Sequence, residues 1–334
     1  MASSSGFQPA VTSAGILSPS PLVAELGFDG PHGGFMLSSP SSGRYWHILG
    51  SVTECLFGHI LRAVEVMRSP FTGGWGQVQG EFAIKRMSLA RISRTQGSVN
   101  EDPFKEISAL QYLKVVGQHP NVIEATEVLQ DVDNLYVVLP FCHGGELFRV
   151  VESQGRLCEA EAKAMFRDLL SGLAFLHSLD ICHRDVSLEN VLLTRERRAT
   201  IIDLGMALML PRDPQSGRLS PIALNGPCGK KRYMAPEVAM DKPVFDGFAL
   251  DVWACGVILF ILITGVPPFQ IPIPAEDPRC RLIAVEKDLL VLMRGWNMPV
   301  SAEAADVIQS CLSYDPDERP TVHDLLRHSW LADR

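Results

Sequence analysis

The spacing of apolar and polar positions changes character near residue 140. Before it, short apolar runs at 46–50, 57–64, 81–85 and 135–139 read as β-strands, the first two joined by a glycine-bearing turn. One helix interrupts them. Asp102 and Pro103 supply an N-cap and a first-turn proline, and Ile107, Leu110 and Leu113 then fall on one stripe with Glu106 beside it. The spacing predicts that this helix packs against the sheet. The Gly-rich stretch 72–78 is expected to be a flexible insertion between the second and third strands.

After residue 140 the pattern becomes helical. Met165, Phe166, Leu169, Leu170, Leu173 and Leu176 recur at helical spacing over 159–179, a helix predicted to serve the core. Residues 253–266 are apolar apart from Thr264. That run is shorter than the ~20 residues a bilayer requires, and two prolines follow it, so a buried helix is predicted with Asp251 at its start. Val191 to Leu193 and Ala199 to Ile202 form a predicted hairpin around the charged turn 195–198. Thr321 with Asp324 predicts a capped final helix. There is no internal repeat and no coiled-coil heptad.

Composition separates the first 44 residues from the rest. They are dominated by Ser, Pro, Gly and Ala, without a Lys or Arg before Arg44, and a disordered tail is expected over 1–44. Neither a signal nor a transit peptide is visible, and Ala2 excludes N-myristoylation. Ser18-Pro19 and Ser39-Pro40 read as ordinary tail features. With 46% hydrophobic residues the chain can bury a sizeable core, and a net charge of −8 disfavours nucleic acid or an anionic membrane as partner. Eight cysteines without a Cys-x-x-Cys pair argue for reduced thiols and a cytoplasmic protein, with the nucleus also compatible. No regulatory segment is expected after Arg334, and the protein is expected to be a monomer.

The 191–202 hairpin has a chemical consequence. It brings Asp185, Asn190 and Asp203 toward one end, and three such oxygen-bearing groups suit a hard cation that also binds phosphate, Mg²⁺ in particular. They belong to a spaced set: Ala83-Ile84-Lys85, then His183-Arg184-Asp185 with Asn190, then Asp203-Leu204-Gly205, and finally Ala235-Pro236-Glu237. In this order the set resembles a eukaryotic-type protein kinase catalytic domain. His119-Pro120-Asn121-Val122 and the run 315–320 agree with that resemblance, which extends over 45–332.

The resemblance implies an α+β, bilobed protein-kinase-like fold: a small β-rich N-lobe with one long helix (45–141) and a larger helical C-lobe (144–332). It implies transfer of the γ-phosphoryl group of Mg-ATP to a protein hydroxyl. Asp185 would accept the hydroxyl proton, Asn190 and Asp203 would hold Mg²⁺, and Lys85 paired with Glu106 would hold the ATP phosphates. Leu139 is the implied gatekeeper beside the adenine, and Pro140 to Cys142 the hinge. Glu146 is placed for the ribose or for a basic substrate residue. Gly50, Gly58, Ile60, Ala83 and Leu192 complete the implied ATP-binding set. Asp251 would anchor the loop holding Asp185, and Arg319 would pair with Glu237. His183 is expected to serve packing and backbone hydrogen bonds.

Three departures shape the expectations. The phosphate-covering turn lacks its middle glycine and is about three residues too long, and Val52 near the phosphates would hinder close backbone approach. Ser187 stands where most Ser/Thr kinases carry a γ-phosphate lysine, while Lys230 stands where they carry threonine. Either the two positions have exchanged roles, making Lys230 catalytic, or Ser187 is a loss and Lys230 belongs to an exposed basic run with Lys231 and Arg232. Finally, the segment 203–237 contains no threonine, so Ser216 and Ser220 are its candidate phosphosites, with Arg184 as partner.

The residues between Asp185 and Asn190 favour Ser/Thr over Tyr specificity. The stretches 144–148 and 328–331 resemble the calcium/calmodulin-dependent group. Glu146 and Glu189 suggest a protein substrate with basic residues near the phosphosite. A reading of a different class, a pseudokinase scaffold without turnover, is favoured by the altered turn and by Ser187.

Overall fold

The computed structural model describes residues 25–28, 35–95, 101–212, 215, 219–223 and 229–332. They divide into two compact units, one holding 25–118 and Ile123–His143, the other His119–Val122 and 144–332.

The first unit is an antiparallel sheet with two helices. Its strands are β1 (Glu25–Phe28), β2 (Phe35–Ser38), β3 (Tyr45–Cys55), β4 (Gly58–Arg68) and β5 (Trp75–Ser88). Helices α1 (Leu89–Thr95) and α2 (Pro103–Val116) follow, then β6 (Glu127–Gln130) and β7 (Asn134–Pro140). The sheet order is β1-β2-β3-β4-β5-β7-β6. Period-two alternation sorts the side chains: Leu61 and Ala63 join Leu37, Trp46, Ile84, Tyr136 and Val138 in one cluster, while Val64 and Val66 join Met36 in another.

This sheet corrects three expectations. The tail does not extend to residue 44. β2 pairs with β3 and buries Met36 and Leu37, the latter 0% exposed. A short apolar run was diluted by its Gly- and Ser-rich surroundings, and the edge of β3 gives it a partner. The turn after β2 is fixed by Ser39 and Ser42, whose hydroxyls donate to Glu127 at 2.8 and 3.1 Å. Ser18 lies outside the described residues.

The long turn between Gly50 and Gly58 is instead mostly strand. β3 runs on to Cys55 through irregularities at Ile48/Gly50 and Ser51/Thr53, which absorb the extra residues, and the reversal is left to Leu56 and Phe57. Bulges are how a ladder accommodates such residues. Nor is 72–78 an insertion: Ser69 and Gly74 close a turn, and Trp75 begins β5, pairing with Arg68. Trp75 packs edge-on against Tyr45 with ring centroids 5.0 Å apart, which supplies an apolar reason for the strand to extend.

The second unit is mainly helical. Its elements are β8 (Gly145–Glu146), α3 (Leu147–Gln154), α4 (Glu159–Ser178), β9 (Ile181–Cys182), β10 (Val191–Leu193), β11 (Ala199–Ile201), β12 (Leu208–Met209) and β13 (Ile222–Ala223). After them come α5 (Pro236–Ala239), β14 (Val244–Phe245), α6 (Gly247–Thr264), α7 (Pro278–Ala284), α8 (Leu289–Gly295), α9 (Ala302–Cys311) and α10 (Val322–Arg327). All six apolar residues predicted for α4 are buried. α6 is long and apolar enough to cross a membrane, yet every residue of it except Phe248 is buried inside the unit. It begins four residues before Asp251, because the Asp246 carboxylate accepts the amides of Phe248 and Ala249 as its N-cap. It ends at Gly265, where φ is +80° and a Cβ would lie 1.8 Å from the Gly155 carbonyl oxygen, so only glycine fits. Thr321 and Asp324 form the expected capping box on α10.

Candidate active site

The candidate residues fall into two groups, one in each unit. In the first unit β5 carries Ala83 and Lys85 on one face. Ile60 lies opposite Lys85 on β4, and Leu139 lies opposite Ala83 on β7, so all four share that face. α2 supplies the partner. Its N-cap Asp102 accepts the Phe104 amide at 2.9 Å, fixing the first turn that carries Glu106. Lys85 Nζ donates to Glu106 Oε2 at 2.6 Å, with the two residues 8% and 3% exposed. Pro140 ends β7 and keeps its carbonyl; the next amide, that of Phe141, donates to Glu81 at 3.0 Å. Cys142 is half-buried, and burial raises its thiol pKa.

Gly50 and Gly58 do not share a turn. Gly50 lies within β3 opposite Arg62, whereas Gly58 opens β4. The need for glycine at 58 is steric: a Cβ there would sit 2.0 Å from the Arg86 carbonyl oxygen. Val52 is exposed on the irregular part of β3.

In the second unit the loop from β9 to β10 is held from behind by Asp251. Its carboxylate, 1% exposed, accepts the amides of His183 and Arg184, each at 2.8 Å, and lies 2.9 Å from His177 Nε2. Arg184 thereby keeps a left-handed backbone at φ +63°, a conformation that is uncommon for a non-glycine residue. His183 is buried; its Nδ1 accepts the Asp185 amide, and its Nε2 lies 3.1 Å from the Ile202 carbonyl. His177, stacked on Phe248, was not foreseen, because only the fold reveals that α4 reaches Asp251.

The Asp185 carboxylate is fixed from two sides. Asn190 Nδ2 donates to its Oδ2 at 2.7 Å and to the Asp185 carbonyl at 2.8 Å. From the far end of the 203–237 segment, the Lys230 amide donates to Oδ1 at 3.1 Å and Lys230 Nζ to Oδ2 at 3.2 Å. Nζ also donates to Ser187 Oγ at 2.9 Å. Asp203 follows the 191–202 hairpin, whose Ile202 amide donates to the Asn190 carbonyl at 2.9 Å. It too has a left-handed backbone, φ +63°, and its Oδ1 accepts the Gly205 amide. Glu146 pairs with Leu192 across β8 and β10, so these two candidates are neighbours.

Around this centre, Arg319 grips Glu237 with two hydrogen bonds of 2.7 and 2.8 Å. Burial and the Glu189 carboxylate push the Tyr233 phenol pKa up, and its oxygen accepts the Leu188 amide. Arg184 Nε donates to the Met206 carbonyl. Ser220 donates its amide to Pro211, while Ser216 lies outside the described residues.

A sequence model of the protein kinase domain matches residues 76–331. The match starts at Gly76, inside β5, so β1 to β4 with Gly50, Gly58 and Ile60 precede it. The serine/threonine-protein kinase GIN4 of Saccharomyces cerevisiae is 38% identical over 270 residues, covering 77% of this chain and 22% of that protein. CBL-interacting protein kinase 9 of Oryza sativa subsp. japonica is 32% identical over 275 residues, 77% of this chain and 56% of its own length. The calcium and calcium/calmodulin-dependent serine/threonine-protein kinase of Lilium longiflorum is 39% identical over 220 residues, 65% of this chain and 39% of that protein. The chain thus spans between about a fifth and about half of the length of these relatives. Sequence match, sheet-rich first unit and helical second unit agree, and the chain belongs to the protein kinase domain family.

Proposed function

We propose that the protein is an active serine/threonine protein kinase that transfers the γ-phosphoryl group of ATP to a protein hydroxyl. One observation carries this: the Asp185 carboxylate is immobilised by Asn190 and Lys230, at the end of a loop that Asp251 holds in a strained conformation. Backbone strain of this kind clusters at active sites, ligand clamps and switch regions. The serine/threonine kinases among its relatives support the same reading.

Asp185 would orient the attacking hydroxyl and accept its proton, and Lys85, positioned by Glu106, would hold the nucleotide phosphates. Mg²⁺ fits the donor set. Asn190 spends its NH₂ on Asp185, which leaves its amide oxygen as a ligand atom, and Asp203 adds a carboxylate. Bound there, the ion would supply charge neutralisation for the phosphates. A substrate with basic residues near the phosphosite is part of the proposal, with Glu146 and Glu189 as the carboxylates that would meet them. Residence in the cytoplasm is part of the proposal, supported by free cysteines and no disulfide among the described residues.

The test is phosphoryl transfer from labelled ATP to a generic basic protein in the presence of Mg²⁺. Wild type should be active, and Asp185→Ala should lower kcat by roughly 10²–10⁴-fold. Wild type that binds nucleotide but matches Asp185→Ala in rate would establish the scaffold reading instead.

A further inference from the structure

Transfer of a phosphoryl group asks for cationic donors around its oxygens more than for covalent help. Between Asp185 and Asn190 the loop offers none, since Val186, Ser187, Leu188 and Glu189 fill that stretch, and Arg184 before it spends its Nε on the Met206 carbonyl. A cation is nonetheless present at the carboxylate, and it comes from elsewhere in the chain. Lys230 Nζ stands 3.2 Å from Asp185 Oδ2 and 2.9 Å from Ser187 Oγ.

The approach is built into the backbone. Gly229 has φ +79°, and a Cβ on it would lie 2.8 Å from the Arg184 carbonyl oxygen and 3.5 Å from Asp185 Oδ1. Glycine therefore lets the 203–237 segment meet the 183–190 loop main chain to main chain, and the next amide, that of Lys230, then reaches Asp185 Oδ1. Lys231 and Arg232 are exposed, so Lys230 is set apart from its basic neighbours by being turned inward. Ser187 is 0% exposed, and its hydroxyl oxygen receives the Lys230 ammonium. An ammonium has three N–H donors. The contacts to Asp185 and Ser187 take two, and the Lys230 side chain remains 39% exposed, so the third is open to an incoming ligand.

We infer that Lys230, carried on the segment between Asp203 and Glu237, donates this third N–H to the transferring phosphoryl group while its other two hold Asp185 and Ser187. The inference rests on the kinase activity proposed above. In the step, the substrate hydroxyl oxygen bonds to the γ-phosphorus, and the bond from that phosphorus to the β–γ bridging oxygen breaks. ADP leaves with the electron pair, and the hydroxyl proton passes to Asp185. Lys230 stays protonated throughout and neutralises charge on the oxygens in flight. Displacing the segment would therefore take two donors from Asp185, a main-chain amide and an ammonium, and the phosphate cation with them.

Steady-state kinetics of the full chain with Mg-ATP and a basic peptide test this. Lys230→Ala should lower kcat by roughly 10²–10³-fold, with kcat/KM for ATP falling in step, as for an interaction made in the transition state. Adding Ser187→Lys to that variant should recover at least about tenfold, because it returns an ammonium to the same pair of positions from the opposite side. Lys231→Ala should match wild type. Binding of a fluorescent ATP analogue reports whether each variant is folded. Active wild type with Lys230→Ala within twofold of it overturns the inference and leaves the kinase reading standing. So does a folded Lys230→Ala enzyme whose lost rate Ser187→Lys does not restore at all. Wild type that binds nucleotide without turnover removes the kinase reading, and this inference with it.

Discussion

Removing one partner of the Glu237–Arg319 pair should damage the second unit more than removing both. Arg319 is buried, and its guanidinium makes four hydrogen bonds: two to the Glu237 carboxylate, one to the Ser313 carbonyl at 2.9 Å and one to the Ala249 carbonyl at 3.0 Å. It also lies over the Trp253 ring, 4.9 Å from the centroid. Two of the four bonds and the whole counter-charge come from Glu237. With Glu237→Ala, the carbonyls and the ring remain, but a full positive charge stays in the interior without an anion. Breaking a buried pair in this way costs ~3–5 kcal/mol, whereas replacing both partners by apolar groups of similar volume is often neutral or better.

Glu237→Ala is therefore expected to lose ~3–5 kcal/mol, or roughly 6–20 °C in Tm for a unit of this size. Arg319→Met alone should lose a comparable amount, because it strands the carboxylate. The double variant Glu237→Leu/Arg319→Met should regain most of the loss, though the Ser313 and Ala249 carbonyls lose their donor and keep recovery below complete. Denaturant unfolding of wild type, the single variants and the double variant, closed as a double-mutant cycle, measures the coupling. A single variant within about 1 kcal/mol of wild type, or a double variant as unstable as the sum of the singles, would refute the reasoning.

Two further outcomes follow from the same kind of accounting. Asp277 accepts amides from Gln270, Ile271, Arg279 and Cys280 at 2.8–3.2 Å; burial alone would raise its pKa, but these donors outweigh burial and hold it below the usual carboxylate value. A depressed folded-state pKa gives stability that is present above the unfolded value of about 3.9 and lost as pH falls through the folded value. Asp277→Asn should cost ~1–3 kcal/mol at pH 7, because its NH₂ replaces one carboxylate oxygen and leaves two main-chain amides without an acceptor, and the gap to wild type should narrow in acid, seen as converging denaturant midpoints at pH 7 and pH 2. Gly58→Ala must move β4 away from the Arg86 carbonyl, and an overpacking loss of ~1–3 kcal/mol is expected in the same unfolding assay.

What could be read from the sequence follows how local each signal is. α4, the 191–202 hairpin and the capping box at Thr321 are specified within a few residues by periodicity and caps, and the structure has all three. The pairing of Lys85 with Glu106 is legible because Ile107, Leu110 and Leu113 turn α2 toward the sheet with Glu106 beside them, and the resemblance assigns the pair. The failures are non-local. β2 looks like tail until β3 supplies its hydrogen-bond partners, and Trp75 looks like loop until Tyr45 packs on it. The extra residues after Gly50 could lengthen a turn or bulge a strand, and only the register with β4 decides between them. Asp251 reads as the start of the helix through Trp253, although the resemblance also gives it the loop-anchoring role seen in the structure. Asp246 is the cap, which frees Asp251 for another use.

That use explains why a carboxylate sits in the most apolar helix of the chain. Asp251 interrupts a run of otherwise apolar residues, and an unpaired charge there would be expensive. It is compensated by two main-chain amides and a histidine, all reaching it from outside α6. The compensation works in both directions. The amides of His183 and Arg184 can reach one carboxylate together only if the loop bends sharply, and the bend appears as the positive φ of Arg184. The next residue is Asp185. Its position is therefore set from behind, by a buried charge on a rigid helix, before any substrate arrives. Preorganisation of this kind lets a carboxylate act without reorganising during the reaction. A single polar residue in an apolar helix is thus more than a tolerated defect: the hydrophobic surroundings make its demand for partners strong enough to hold the loop in its strained shape.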